Sequence, residues 1–591
     1  MFLGHFSVSR IYVRIRRVTQ SGQFALSVLA FAVGGGVGGA VIIFRETIAL
    51  VQEATFGTGR DYYSEPLFSH IDKLPWWQVI AVPTIGGVVV GLLVKYLMPT
   101  KRPEGVADVI EAAALQGGRM SGITGIKAAL INACSIGFGA SVGREGPAVH
   151  FGAAMGGWLA GSLNLNRSVS RTLLGCGAAA AVAASFNAPI AGALFASEVV
   201  IGHYALSAFA PIVISSVTAT AISRFYFGDF PAFVIHEHVI QSLWEFPAFI
   251  VFGIVAGLVA MGFMKSIMLS SNVADKLPFP NFMKPGIGGA AIGCLAIWFP
   301  QVLGVGYGTT EAAVMVSFSL GLLASICIAK IIATAISIGF GFGGGVFSPS
   351  LVIGAMLGGA YGTVFTGLFP DLSTGIGAYT ILGMGALAAA VLGAPISTAL
   401  VIFEMTNDYA LTLALMITVV ISSMITRQFH GGSFFSWQLE RRGLDLRDGL
   451  EVTLLRNLRL TSVLSRKEKQ VPLWVGLPEI RLILLKSDAG ELFVVDDSGG
   501  LFGTITLADM SEFAFDTELD NLITASDVAR RNPPVLTIDE NLENALNLMR
   551  DSGDDCLPVV ENHETMKFLG CVRQGLIMSA YNRALIENRR E

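Results

Sequence analysis

The short segment Gly143-Arg144-Glu145-Gly146-Pro147, directly before an apolar stretch, has the residue types of an anion-binding helix start. Proline suits the first turn of a helix, and the start of a helix carries about +0.5 charge together with unpaired N–H donors. The glycines let the backbone present those donors to a ligand, which predicts an anion site formed by Gly143, Arg144 and Gly146. Glu145 would stand where the anion belongs and would leave when protonated, as a gate does. The alternative is a carboxylate that only complements the helix dipole.

The sequence contains a second version of this arrangement. The segment GGVFSP at 344–349 also precedes an apolar stretch but has no acid. SIGFG occurs at 135–139 and again 202 residues later, at 337–341, and Ala-Pro-Ile followed by a glutamate occurs at 188–198 and at 394–404. Helix starts from two homologous halves would converge on one site at the membrane midplane. We expect the repeats to span roughly 78–225 and 286–426.

The elements that position these segments are predicted by composition. The 591 residues are 53% hydrophobic and 14% charged, with a mean hydropathy of +0.63, whereas soluble chains carry about 25% charged residues. The first 450 residues contain 45 charged side chains, and the last 141 contain 38. This disfavours a secreted, fibrous or nucleic-acid-binding protein. It predicts a basic N-terminus at 1–23, a transmembrane domain at 24–450 and a soluble domain at 451–591.

Charge placement predicts the orientation in the cell membrane. Four arginines without an acid precede the apolar run at 24–44, and Arg427, Arg441 and Arg442 lie near the end of the last span. Under the positive-inside rule both termini are then cytoplasmic. The alternative for the first run is a signal peptide, but the run is too long and many spans follow it. The six cysteines show no C-x-x-C spacing, so neither disulfides nor zinc are expected.

Two other classes of membrane protein fit less well. A zinc protease of the membrane would carry H-E-x-x-H, but the second histidine is missing after His236-Glu237-His238. A cation transporter would need acids at the midplane, where this chain offers helix starts. No enzyme activity is expected.

In these motifs the chain resembles the CLC family of chloride channels and proton/chloride antiporters. The resemblance rests on GREGP at 143–147, GGVFSP at 344–349, FNAPIAG at 186–192 and a tail similar to paired CBS domains. It implies an α-helical polytopic fold of two inverted-topology repeats with a small α/β tail. It also implies a homodimer with one chloride pore per subunit. By this resemblance Glu145 is the gating glutamate, and the amides of Val346 and Phe347 are donors of the central anion site.

The chain departs from the family pattern at two anion-site positions. The family's GSGIP motif falls at 103–107, where Glu104 stands and no serine can coordinate the anion. Glu104 could point away, be a second titratable group, or be a vestibule residue. The usual tyrosine is Phe435, which can close the inner side of the pore but gives no hydrogen bond.

A third departure concerns protons. The inward-facing glutamate of family antiporters falls at Val199, which cannot relay a proton. This favours passive conduction, and the alternative is a proton-coupled antiporter with a non-standard path. Glu198 next to it could take part in that path. The other interpretation of Glu198 is a structural role at a helix end, because Glu404 occupies the equivalent repeat position.

The tail is expected to be a mixed α/β domain that modulates the pore. Thr506 and Asp509 match the ribose-contacting part of the CBS pattern, which predicts weak adenine-nucleotide binding. A purely structural dimerisation domain is an equal alternative. No cofactor is required, and the expected partners are membrane lipid, chloride and a second copy of the chain.

Overall fold

The structure is a computed structural model. It describes residues 23–58, 67–202, 206–228, 243–444, 458–466, 468–487, 490–511, 520 and 522–590. The basic residues before 23, the His236-Glu237-His238 motif and the expected domain boundary at 450 lie outside these residues. The chain divides into two compact units, one ending at Gly443 and the other beginning at Leu444.

The first unit is helical. In its described residues, eight helices are long and apolar enough to cross a membrane, and four shorter apolar helices have 10–17 residues. The helices are α1 (Gln23–Phe56), α2 (Leu67–Ile71), α3 (Trp76–Leu97), α4 (Val106–Ala114), α5 (Gly122–Gly137), α6 (Glu145–Ser162), α7 (Arg167–Phe186), α8 (Pro189–Phe195) with a following π-helical segment (Ala196–Ile201), α9 (Leu206–Phe227), α10 (Phe246–Lys276), α11 (Lys284–Trp298), α12 (Tyr307–Val314), α13 (Leu320–Gly339), α14 (Phe347–Leu368), α15 (Ile376–Leu392), α16 (Pro395–Thr406), α17 (Tyr409–His430) and α18 (Phe434–Glu440).

The repeat seen in the sequence is present in the helices. α3 to α9 and α11 to α17 follow one another in the same order. In both halves a buried helix ends at a left-handed residue, Asn187 with φ 59° or Gly393 with φ 69°. A proline then opens the next helix, at Pro189 or Pro395. Because a left-handed residue ends a helix and proline starts one readily, the same local sequence produces the same break twice.

Small residues bring the helices that carry the two candidate segments against their neighbours. A Cβ on Gly152 of α6 would lie 2.3 Å from the carbonyl oxygen of Gly177 on α7. A Cβ on Gly354 of α14 would lie 2.1 Å from that of Gly383 on α15. The main chains touch at both places, as the glycine content suggests for a tightly packed membrane bundle.

The second unit is a small α/β domain built from two similar modules. Its elements are β1 (Gln470–Pro472), α19 (Leu477–Leu485), β2 (Glu491–Val495), β3 (Leu501–Thr506), α20 (Ala525–Val528), β4 (Arg530–Arg531), β5 (Leu536–Thr537), α21 (Leu542–Ser552), β6 (Cys556–Val560), β7 (Phe568–Arg573) and α22 (Gln574–Arg590). The sheets have the orders β1-β2-β3-β4 and β5-β6-β7. In each sheet the first pair is parallel, the second is antiparallel, and the register shifts at a valine pair. The predicted mixed α/β tail is confirmed.

Candidate anion site

The loops before α6 and α14 pair with each other. The N–H of Gly143 donates to the carbonyl of Gly345 at 2.7 Å, and the N–H of Gly345 donates to Gly143 at 2.8 Å. These glycines are 202 residues apart, so equivalent points of the two repeats meet here. The N–H of Gly143, which the sequence offers to an anion, is used in this bridge, and the role of Gly143 in anion binding stays a prediction. Neither loop sequence alone reveals the pairing.

The carboxylate of Glu145 lies against the start of the helix from the other repeat. Glu145 is the first residue of α6 and is 1% exposed. Its Oε1 accepts a hydrogen bond from the hydroxyl of Tyr307 at 2.6 Å, and its Oε2 accepts one from the Oγ of Ser348, the second residue of α14. The negative group thus lies beside a helix start, where anions are stabilised.

A buried arginine lies beside this carboxylate, and a buried lysine lies beside the residue that precedes Tyr307. The Nε of Arg144 lies 3.5 Å from Oε1 of Glu145, and its guanidinium carbon lies 4.7 Å from the centre of the Tyr307 ring. Lys330 on α13 is fully buried and donates to the carbonyls of Val302 and Gly304, at 2.9 Å each. A Cβ on Gly306, the residue before Tyr307, would lie 3.4 Å from the Lys330 Nζ.

Tyr307 and Lys330 did not emerge from the sequence. A lysine within an apolar span is a functional candidate by default, so Lys330 could have been identified from its position in the sequence. No sequence pattern pointed to Tyr307, because it lies far along the chain from Glu145.

A cavity of about 120 Å³ brings together most of the residues singled out in the sequence. Its lining includes Glu104, Glu145, Gly146, Val346, Phe347 and Phe435. The volume can hold several water molecules. The Phe347 ring packs on Phe186, with ring centres 4.8 Å apart, and Phe435 is buried.

Glu104 lies on the wall of this cavity and contacts a buried histidine. Its Oε2 is 3.2 Å from Nε2 of His150, which lies five residues after Glu145 on α6, and its Oε1 accepts from the hydroxyl of Thr100 at 3.0 Å. The contact is an ion pair only when the imidazole is protonated. Nearby, Asp108 contacts Arg102 at 2.6 Å and Arg442 at 3.0 Å.

Glu198 is not among the residues that line this cavity and belongs to the π-helical segment after α8. Its carboxylate accepts from the N–H groups of Ile396 and Ser397, at 3.2 and 2.8 Å, and from the Ser397 hydroxyl at 2.7 Å. Reciprocally, Glu404 accepts from the N–H groups of Ile190 and Ala191, at 3.0 and 2.8 Å. Each glutamate caps the helix start of the other repeat, which is a structural contact.

In the second unit, Asp509 closes a turn with Thr506. Its Oδ2 accepts from both the N–H and the hydroxyl of Thr506, at 2.8 Å each. Thr537 and Glu540 repeat this turn in the other module. Within the described residues, no group of three or more metal-ligating side chains could hold a metal ion.

A bundle of paired repeats whose helix starts face one another around a buried carboxylate defines an anion-transporting membrane protein. Residues 86–427 match the sequence profile of the voltage gated chloride channel family, and residues 525–583 match that of the CBS domain. The chain belongs to this family, the CLC family of anion transporters. The module that contains Thr506 and Asp509 lies before the matched CBS residues.

Individual relatives include proteins named as channels and as exchangers. A putative chloride channel protein ClcB-like of Ralstonia nicotianae is 33% identical over 406 residues, which are 68% of this chain and 94% of that protein. The H(+)/Cl(-) exchange transporter ClcA of Cronobacter sakazakii is 31% identical over 52% of this chain and 67% of its own. The crystal structure of a slow cyanobacterial Cl-/H+ antiporter covers 71% of this chain and 97% of its own, with 24% identity and a TM-score of 0.64, which shows the shared fold.

Proposed function

We propose that this protein conducts chloride passively across the cell membrane through a pore gated by Glu145. The observation that carries this proposal is the carboxylate of Glu145 at the start of α14, on the wall of the cavity. An ionised carboxylate there competes with chloride for the same donors. Protonation removes its charge, and the site then accepts the anion.

The other members of the cavity have roles in the same proposal. The orphan N–H donors at the start of α14, from Val346 and Phe347, hold the anion, with Gly146 at the start of α6 and the charge of Arg144 assisting. Phe435 narrows the cavity as an apolar wall. Val199, which is half-buried and has no titratable group, is the reason for preferring passive conduction.

Proton-coupled exchange is the second candidate function, and one contact favours it. Glu104 and Glu145 line the same cavity, and Glu104 is in contact with His150. A proton could pass between the two carboxylates through water in that cavity, without a group at Val199. Two of the relatives above are named as a proton/chloride exchanger and an antiporter.

The wider assembly completes the proposal. The transmembrane domain is 24–450, with repeats at 78–225 and 286–426, and it forms a homodimer with both termini cytoplasmic. The tail at 451–591 modulates the pore and binds an adenine nucleotide weakly at Thr506 and Asp509. Since Asp509 already accepts from Thr506, the nucleotide must share or displace that contact.

Flux from reconstituted liposomes tests the gate. In Glu145→Gln we expect chloride flux that no longer depends on pH, because the amide mimics the protonated side chain. Glu311→Gln is the matched control, since Glu311 is exposed on α12. Wild-type pH dependence in Glu145→Gln would place the gate elsewhere. Loss of proton transport in Glu104→Gln with chloride flux retained would favour the second candidate.

A further inference from the structure

We propose that the hydroxyls of Tyr307 and Ser348 are direct ligands of the transported anion, which they bind when the carboxylate of Glu145 leaves. This inference rests on the proposed role of Glu145 as the gate. It assigns side-chain ligands to a chain that has neither a serine in the 103–107 motif nor a hydroxyl at Phe435.

The two hydroxyls converge on one negative group. Tyr307 donates to Oε1 of Glu145 at 2.6 Å, and Ser348 donates to Oε2. An ionised carboxylate accepts hydrogen bonds and donates none, so both hydroxyls must be donors in these contacts. They come from different helices, α12 and α14, whose first and second residues they are.

Departure of the carboxylate would leave these donors without their charged acceptor. Ser348 is buried and Tyr307 is half-buried, and each hydroxyl would lose a hydrogen bond to a charged group, which stabilises a protein more than one to a neutral group. An entering halide restores a charge-assisted bond to each hydroxyl, and such bonds are about twice as strong as neutral ones. The same donors therefore serve the gate in one state and the anion in the other.

The surroundings hold the donors in place and favour a negative charge. The guanidinium of Arg144 lies over the Tyr307 ring, and its Nε is 3.5 Å from the carboxylate. Gly306 precedes Tyr307 with φ 93°, a left-handed conformation that sets the start of α12. Behind it the ammonium of Lys330 binds the carbonyls of the preceding turn. A small, charge-dense anion gains most from two hydroxyl donors.

Binding of chloride to the full-length protein in detergent tests this assignment. In Glu145→Ala, which vacates the position, we expect chloride binding by calorimetry. Adding Tyr307→Phe or Ser348→Ala should weaken the affinity by about tenfold each. Preference for chloride over iodide should fall as well. Tyr361→Phe and Ser422→Ala remove hydroxyls that bond to main-chain carbonyls elsewhere, and they should leave the affinity unchanged.

A second readout keeps the inference testable if a variant folds poorly. With Glu145 intact, Tyr307→Phe removes a donor to the carboxylate, so flux should reach half-activation at a higher pH. Arg144 lies beside that carboxylate, and Glu104, Asp108 and Arg442 line the same cavity. His150 contacts Glu104, Lys330 lies beside Gly306, and Tyr307→Phe leaves all of these groups in place. Unchanged chloride affinity in both added variants would overturn this inference and leave the gate intact. Absence of chloride binding in Glu145→Ala would overturn both this inference and the proposed role of Glu145 as the gate.

Discussion

A substitution at Glu198 can distinguish a structural role of this residue, as a helix cap, from a role in proton transfer. Its carboxylate accepts three hydrogen bonds from the start of α16, at 2.7 to 3.2 Å. In Glu198→Gln the side chain keeps its size, but its amide nitrogen must face one of these donors. An unsatisfied donor costs about 1–3 kcal/mol when buried. Because Glu198 is half-buried and Ile396 is exposed, we expect Glu198→Gln to lower the free energy of unfolding by about 1 kcal/mol, the lower end of that range.

The matched variant is Glu404→Gln, which disturbs the equivalent cap on the start of α8. If both glutamates only cap helices, both variants should lower the thermal transition of the detergent-solubilised protein, and neither should change the pH dependence of chloride flux. A change in pH dependence in Glu198→Gln alone, without loss of stability, would refute this reasoning and assign Glu198 to a proton path.

Three further predictions concern packing and the tail. Gly152→Val should disrupt helix packing, because even a Cβ would lie 2.3 Å from the Gly177 carbonyl oxygen. The purified variant should then fail to elute as a monodisperse peak in size-exclusion chromatography. Burial, with the nearby charge of Asp554, raises the pKa of Glu491 from 4.5 to about 7. The folded tail thus binds one more proton than the unfolded tail, so its stability should fall as pH rises from about 4.5 through 7. This fall should be measurable as a loss of hydrogen-exchange protection in β2. Glu491→Gln should abolish the pH dependence of that protection. Asp509→Ala should abolish weak adenine-nucleotide binding measured by calorimetry, and no binding by the unmodified protein up to millimolar nucleotide would reduce the tail to an assembly element.

Local sequence predicted the parts of the site that depend on one segment. The glycines and prolines of GREGP and GGVFSP predicted the starts of α6 and α14. The constant offset of 202 residues showed that these two helix starts are equivalent positions of the repeats. The reciprocal caps of Glu198 and Glu404 follow from the same symmetry.

Long-range packing could not be derived in this way. The pairing of Gly143 with Gly345 uses donors that each loop alone would offer to a ligand. Tyr307 reaches Glu145 across 162 residues, because α12 is placed by the whole bundle. Which donors remain for a ligand is therefore decided by tertiary contacts.

The reversal potential of reconstituted liposomes, under combined chloride and pH gradients, tests the central proposal most directly. Passive conduction gated by Glu145 predicts a reversal potential set by the chloride gradient alone. The pH gradient should change only the size of the current, and that dependence should disappear in Glu145→Gln. A reversal potential that shifts with the pH gradient, and returns to the chloride value in Glu145→Gln, would contradict passive conduction and show coupled exchange.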